Sequence, residues 1–357
     1  MPITLRLRLH SMGADAAGVR LLYFLSLFLS RFYMNRISIF LFSFFFALPI
    51  SYAEEIVFRH NQNSLSGHYL GATNGKPAKA VLLFVHGDGA TSYDAKGYYS
   101  HIWEPLRKHG YAIFSWDKPN VGNSTGNWLE QSMADRQSEV LTAINYIQNK
   151  YNFASENTGL FGFSQAGWAL PALANKNSKV GFVIGIGFSK NWVEQGRYYT
   201  KIRHELAGKN QKQISSELNK YAKEVSFFKS APSYNEYLQY SGEVAMIKER
   251  YQFVLKNFMS DATHDYGKIN VPSLFLWGEK DLSVNAKNEF KWWQVHGSKL
   301  VTPKLISNAS HSMLNADSFS EQDFGYKEWI KLMWLEQDAF AKDFLPTILT
   351  WLEKRKL

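Results

Sequence analysis

Gly162-Phe163-Ser164-Gln165-Ala166-Gly167 follows a short apolar run, Thr158 to Phe161, and precedes a helical stretch that starts near Trp168. A strand that turns this sharply into a helix lifts one side chain out of a sheet, and the turn tolerates only small residues two positions on either side of it. Gly162 and Ala166 meet that demand. The spacing therefore predicts that Ser164 stands proud at the end of a buried strand. The first amides of the following helix would face it, where they stabilise negative charge developing on a substrate oxygen.

The rest of the chain is patterned in keeping with such a turn. Strand-like and helix-like segments alternate, which argues for a mostly parallel sheet flanked by helices. Glu55 to His60 and Ser66 to Leu70 read as paired outer strands, and Ala80 to Val85 as a central strand buried on both faces. Further strands are predicted at Tyr111 to Trp116, Leu160 to Phe163, Val180 to Phe188, Ser273 to Trp277 and Pro303 to Ser307. Helical periodicity covers Met133 to Gln148 and, at the end of the chain, Phe340 to Lys354. The interval 190–270 breaks the alternation: it reads as several amphipathic helices between two strong strands. An insertion there is predicted to cap the C-terminal edge of the sheet, where open α/β folds bind ligands. The expected core is thus 54–189 together with 271–357.

The first 53 residues are set apart from this pattern. From Met34 the chain reads Met-Asn-Arg, an apolar block from Ile37 to Ile50, then Ser51-Tyr52-Ala53 before two glutamates, which matches a secretory signal with a small-x-small cleavage site. The block has 14 residues, whereas a bilayer span needs roughly 20. Residues 1–33 hold a second apolar block, Leu21 to Ser30, and are expected to be a gene-start artefact upstream of a working start at Met34, the alternative being a start at Met1 with the two blocks forming an unusual anchor. The mature chain would begin at Glu54, exported to the periplasm or the medium, with no stable membrane span. The formal charge of +9 falls to +5 without the leader, which carries five arginines and one aspartate. With only Lys354-Arg355-Lys356 as a dense basic cluster, nucleic acid is not an expected partner.

A serine hydroxyl is a weak nucleophile until a base takes its proton, and that base needs a third group to orient it. Of the ten histidines, His311 lies in the loop just beyond the last predicted strand, where a connection can bring its ring over Ser164. The acid is expected at Asp281, just after the strand Ser273 to Trp277, with Glu279 in the same loop as the alternative. His86 reads as a buried structural residue, and His296 as a surface residue at a helix end. The chain contains no His-Glu-x-x-His motif and no cysteine, so no catalytic metal is expected. Gly185-Ile186-Gly187 lacks the third glycine of a dinucleotide site, so no cofactor is expected either.

The order Ser164, Asp281, His311, with His86-Gly87 after the central strand and the turn Asp117 to Ser124, resembles the α/β-hydrolase superfamily over nearly all of residues 55–357. It is most similar to the capped serine aminopeptidase and lipase-like (esterase) branch. The resemblance implies the α/β-hydrolase fold, a mostly parallel central sheet flanked by helices with a helical cap insertion. It also implies an oxyanion hole formed by the backbone N–H groups of Asp88 and Gln165. Asn120 stands where the family's turn has its first glycine and can still reach a left-handed conformation. Ala166 replaces a usual glycine, and Pro119 a frequent arginine. The implied function is that of an exported serine hydrolase cleaving carboxylic esters or related acyl compounds through an acyl-enzyme, its partner a small-molecule acyl substrate. A peptidase acting on short peptides and a non-catalytic binding protein on the same fold are the alternatives.

Overall fold

The computed structural model describes residues 53–355, apart from 177–178, 243–244 and 322–323. The expected leader lies outside the described residues except for Ala53. Eight strands form one sheet: β1 (Glu54–His60), β2 (Asn63–Leu70), β3 (Ala80–Val85), β4 (Tyr111–Trp116), β5 (Thr158–Phe163), β6 (Phe182–Ile186), β7 (Ser273–Gly278) and β8 (Val301–Ile306). Their spatial order is β1-β2-β4-β3-β5-β6-β7-β8. The first two strands pair antiparallel with each other, and β2 runs antiparallel to β4; all other pairs are parallel. The mostly parallel sheet expected from the sequence is therefore the one observed.

Burial follows position in the sheet. In β1, at the edge, Ile56, Phe58 and His60 are buried while the residues between them are exposed, as for a strand wet on one side. In β3, at the centre, every residue is buried. Its side chains alternate between two cores. Val81, Leu83 and Val85 pack in one cluster with Val140, Ile144 and Trp277, and Ala80, Leu82 and Phe84 in the other with Ile102, Leu106 and Phe344.

The helices, in chain order, are α1 (Ser100–Lys108), α2 (Met133–Tyr151) and α3 (Leu170–Lys176), then α4 (Trp192–Leu206), α5 (Gln211–Lys229), α6 (Tyr234–Ser241), α7 (Lys248–Asn257) and α8 (Thr263–Tyr266), and finally α9 (Ala286–His296), α10 (Tyr326–Leu335) and α11 (Phe344–Glu353). Helix α2 starts at a reciprocal cap between Ser132 and Asp135 and ends where Asn152 turns left-handed at φ 57°. Helices α1 and α10 lie outside the helical segments expected from the sequence. The strand predicted over Val180 to Phe188 is shorter, because Gly187 leaves the extended region at φ 62°. No helix among the described residues is long and apolar enough to cross a membrane.

Between β6 and β7 the chain builds α4 to α8. Phe228, Tyr237, Tyr251 and Phe258 form a small aromatic cluster of their own, apart from both sheet cores. The last stretch behaves differently: Ala262, Tyr266 and Ile269 join Phe275 and Trp293 in the core beside the sheet.

Candidate active site

Ser164 directly follows β5 with φ 48°, a left-handed conformation that is strained for a residue with a Cβ. The surroundings explain why the flanking residues must be small. A Cβ on Gly162 would lie 2.4 Å from Leu170 Cδ1 and 3.1 Å from the Ala166 methyl, so a longer side chain at either position would collide. Residues Ser164–Trp168 form a 3-10 turn, and α3 adds only seven residues after it. The helical stretch expected behind the serine is thus a 3-10 turn followed by α3, and charge stabilisation falls to individual amides rather than to a macrodipole.

The loop after β7 and the loop after β8 meet beside this serine. His311 Nδ1 lies 2.7 Å from Asp281 Oδ2. Asp281 is buried, and its other oxygen accepts from the backbone N–H groups of Ser283 at 2.8 Å and Val284 at 2.7 Å. Glu279 is directed elsewhere: its carboxylate accepts from Asn308 N–H at 3.5 Å. The acid brought to the histidine is Asp281. Burial disfavours a charged His311, but the charge and hydrogen bond of Asp281 outweigh it, with Glu321 adding to the effect, and its pKa is raised to about 9. Room for the ring comes from Gly187, where a Cβ would sit 2.7 Å from His311 Cε1.

Ser164, His311, Asp88 and Gln165 all line one cavity of about 540 Å3. Its walls include the aromatic rings of Tyr99, Phe163, Trp168 and, from the insertion, Trp192 and Tyr199. The loop carrying Asp88 is tied down by two buried basic side chains. Lys118 Nζ donates to the carbonyls of Gly87 at 2.5 Å and Gly89 at 2.9 Å, and Arg136 donates to the carbonyl of His86 at 2.6 Å. Burial drives the Lys118 pKa well below its usual value. Arg136 also donates to Gln165 Oε1 at 2.8 Å, and Gln165 Nε2 to Asp88 Oδ1 at 3.0 Å. The Asp88 carboxylate is then clasped by both terminal nitrogens of the Arg250 guanidinium, Nη1 and Nη2, at 2.9 and 2.6 Å, from α7 of the insertion. Burial opposes ionisation of Asp88, but Arg250 more than offsets this and holds the carboxyl below its ordinary range.

The remaining sequence candidates have structural surroundings. His86 is buried between Trp116 O at 2.6 Å and the Tyr99 hydroxyl at 3.2 Å, and burial lowers its pKa to about 3. His296 ends α9 and stacks on Trp292. In the turn after β4, Asn120 is left-handed at φ 64°, and a Cβ on Gly122 would lie 2.2 Å from Asp117 Oδ2. That carboxylate accepts from Tyr93 N–H at 2.7 Å, so the turn braces the neighbouring loop and does not line the cavity.

Glu321 carries no sequence signal. One of its oxygens accepts from His311 N–H at 3.0 Å and Leu282 N–H at 3.3 Å, and the other from Ser283 Oγ at 2.7 Å. A single carboxylate therefore joins the acid loop to the histidine loop.

Comparison with known proteins agrees with this arrangement. The family model described as "Serine aminopeptidase, S33" matches residues 76–318. No curated protein matches the sequence. Among solved structures, a proline iminopeptidase from Mycobacterium smegmatis superposes with a TM-score of 0.52 at 15% identity, covering 85% of this chain and 99% of that one. An α/β-hydrolase fold protein from Chitinophaga pinensis gives 0.52 at 14% identity, covering 85% and 98%. An esterase from Pyrococcus furiosus gives 0.51 at 13% identity, covering 85% and 92%. At these identities the likeness is one of fold.

Proposed function

Because the chain belongs to the serine aminopeptidase family S33 of hydrolases, we propose that it is a serine hydrolase of carboxylic esters, with Ser164 as nucleophile, His311 as base and Asp281 as the orienting acid. His311 Nε2 takes the Ser164 proton as Oγ attacks the acyl carbon, and Asp281 steadies the imidazolium through Nδ1. The amides of Asp88 and Gln165 receive the oxyanion. His311 then protonates the leaving alcohol, and water repeats the sequence to free the acid.

One observation favours esters over peptides. An aminopeptidase must receive the charged amino group of its substrate, which calls for an available carboxylate near the serine. Asp88 is the only carboxylate lining the cavity among the described residues, and Arg250 and Gln165 already occupy it. The helices α4 to α7 serve in this reading as a cap, since Trp192 and Tyr199 close one side of the cavity. The signal-like segment 34–53 supports export of the mature enzyme from Glu54.

The test is labelling by a fluorophosphonate together with hydrolysis of p-nitrophenyl acetate and of aminoacyl p-nitroanilides. Wild type is expected to label and to cleave the ester, and Ser164→Ala to do neither beyond a residual rate while keeping its circular dichroism. Faster cleavage of aminoacyl amides than of the ester would move the assignment to a peptidase. An unlabelled, inert wild type would make the protein a binding module.

A further inference from the structure

A second cavity, of about 700 Å3, adjoins the catalytic one on the side of the His311 loop and shares Ala95, Tyr98 and Ser312 with it. None of its lining residues comes from the helical insertion. Leu314 and Leu332 contribute buried aliphatic surface, and Phe324, Tyr326 and Trp329 stand more exposed around them. Between the two cavities, the Tyr98 hydroxyl donates to Ser312 O at 2.6 Å, and its ring packs against Phe163 and Phe340.

Two of the polar side-chain atoms of this groove are already engaged. The Tyr98 hydroxyl is held by Ser312, and burial pushes its pKa up, so it remains a neutral donor. Trp329 Nε1 donates to Lys96 O at 3.1 Å. Lys96 is the only charged residue lining it among the described residues. Such a surface offers apolar contact and few free hydrogen bonds, which suits an aliphatic chain.

From this geometry we propose that the groove beneath α10 is the acyl-chain subsite of the esterase, and that its substrates carry an unbranched aliphatic chain of medium to long length. The inference rests on the catalytic reading of Ser164. With the ester carbonyl at Ser164, the chain passes Tyr98 and lies along Leu314, Leu332 and Trp329. The outer face of α10 bears on the source of that chain. Tyr326, Ile330 and Trp334 recur every fourth residue and are 76%, 47% and 85% exposed, beside Lys327 and Lys331. Aromatic rings flanked by lysines suit a lipid–water boundary, where such side chains place apolar bodies inward and polar tips outward.

The test is a series of p-nitrophenyl esters from acetate to laurate. In wild type, kcat/KM is expected to rise about fourfold for each methylene that enters the groove, the equivalent of the transfer energy of one buried CH2. Trp329→Ala, and separately Phe324→Ala, should lower the ratio of laurate to acetate turnover by about tenfold, each losing between one and two methylenes' worth of contact. Val295→Ser, on the exposed face of α9, should leave that ratio unchanged. Hydrolysis of acetate with a flat chain-length profile, or a ratio unmoved in both groove variants, would overturn the proposal. Loss of all hydrolysis together with absent fluorophosphonate labelling would instead defeat the reading of Ser164. A further arm compares a long-chain ester dispersed as monomer with the same ester in phosphatidylcholine vesicles. A rate lowered by Trp334→Ser only on vesicles assigns the chain to a lipid surface, and equal rates assign it to solution; either result keeps the groove as its binding site.

Discussion

The loops at the sheet edge and the helical insertion above them are held by different means. Around the candidate site, two carboxylates are each fixed several times over: Asp281 accepts two backbone amides besides His311, and Glu321 binds both loops at three points. Helices α5 to α7 share an aromatic cluster of their own, and α4 to α7 meet the core through side-chain links. These include Arg250 with Asp88, Tyr198 with Asp281 O at 3.0 Å, Asn257 with Met133 N–H at 3.0 Å, and Trp192 stacked on Trp168 at 4.8 Å. Redundant backbone bonds hold reacting groups within the tolerance that chemistry requires, whereas single side-chain links permit adjustment to a substrate. The chemistry is therefore expected to be brittle at the loops and forgiving at the insertion.

That contrast orders the expected effects of substitution. Asp281→Asn should lower ester turnover by about 10⁴-fold, as loss of the orienting charge does in other triads, while Glu279→Gln leaves it nearly intact. Initial rates on p-nitrophenyl acetate measure both, and the opposite ranking would place the acid at Glu279. Next comes Glu321→Gln, a positioning residue that touches His311 only through its backbone and through charge. Losing charge-assisted bonds worth about 1.5–3 kcal/mol should reduce kcat by about tenfold to a hundredfold, with little change in KM.

The same variant carries a pH signature. In wild type His311 must lose its proton to act, so activity should climb with pH and level off above about 9. Glu321 helps to raise that pKa, so removing its charge should move the rise to lower pH. The sign for stability is opposite: with a folded pKa above the ordinary 6.5, the His311–Asp281 pair contributes fully below that value and its contribution is lost as pH rises through about 9. Thermal melts across pH 6 to 10 follow it separately from rate. A kcat profile that does not shift in Glu321→Gln would leave that residue a merely structural brace.

The smallest effect belongs to the insertion. Arg250→Ala removes a partly exposed ion pair and should change kcat/KM by no more than about fivefold, since such pairs contribute about 1 kcal/mol or less. Salt should mute the difference between wild type and variant. A loss exceeding that of Glu321→Gln would break the contrast, because it would show that the clasp on Asp88 is part of the catalytic frame.

The sequence by itself determined what depends on neighbouring residues. Continuous apolar runs marked the buried strands, small residues around Ser164 marked the turn, and Asn120 was compatible with a left-handed site because these are local steric and burial effects. It also narrowed the acid to one short loop. Only the tertiary structure decided between Asp281 and Glu279, since the choice depends on which carboxylate the chain brings to a ring 30 residues further on. It alone showed Arg250 closing on Asp88 across 162 residues, and the groove under α10, which draws its walls from turns near residue 95 and a helix near residue 330. Ion pairs and cavities of this kind are made by packing between distant segments, and no spacing along the chain encodes them.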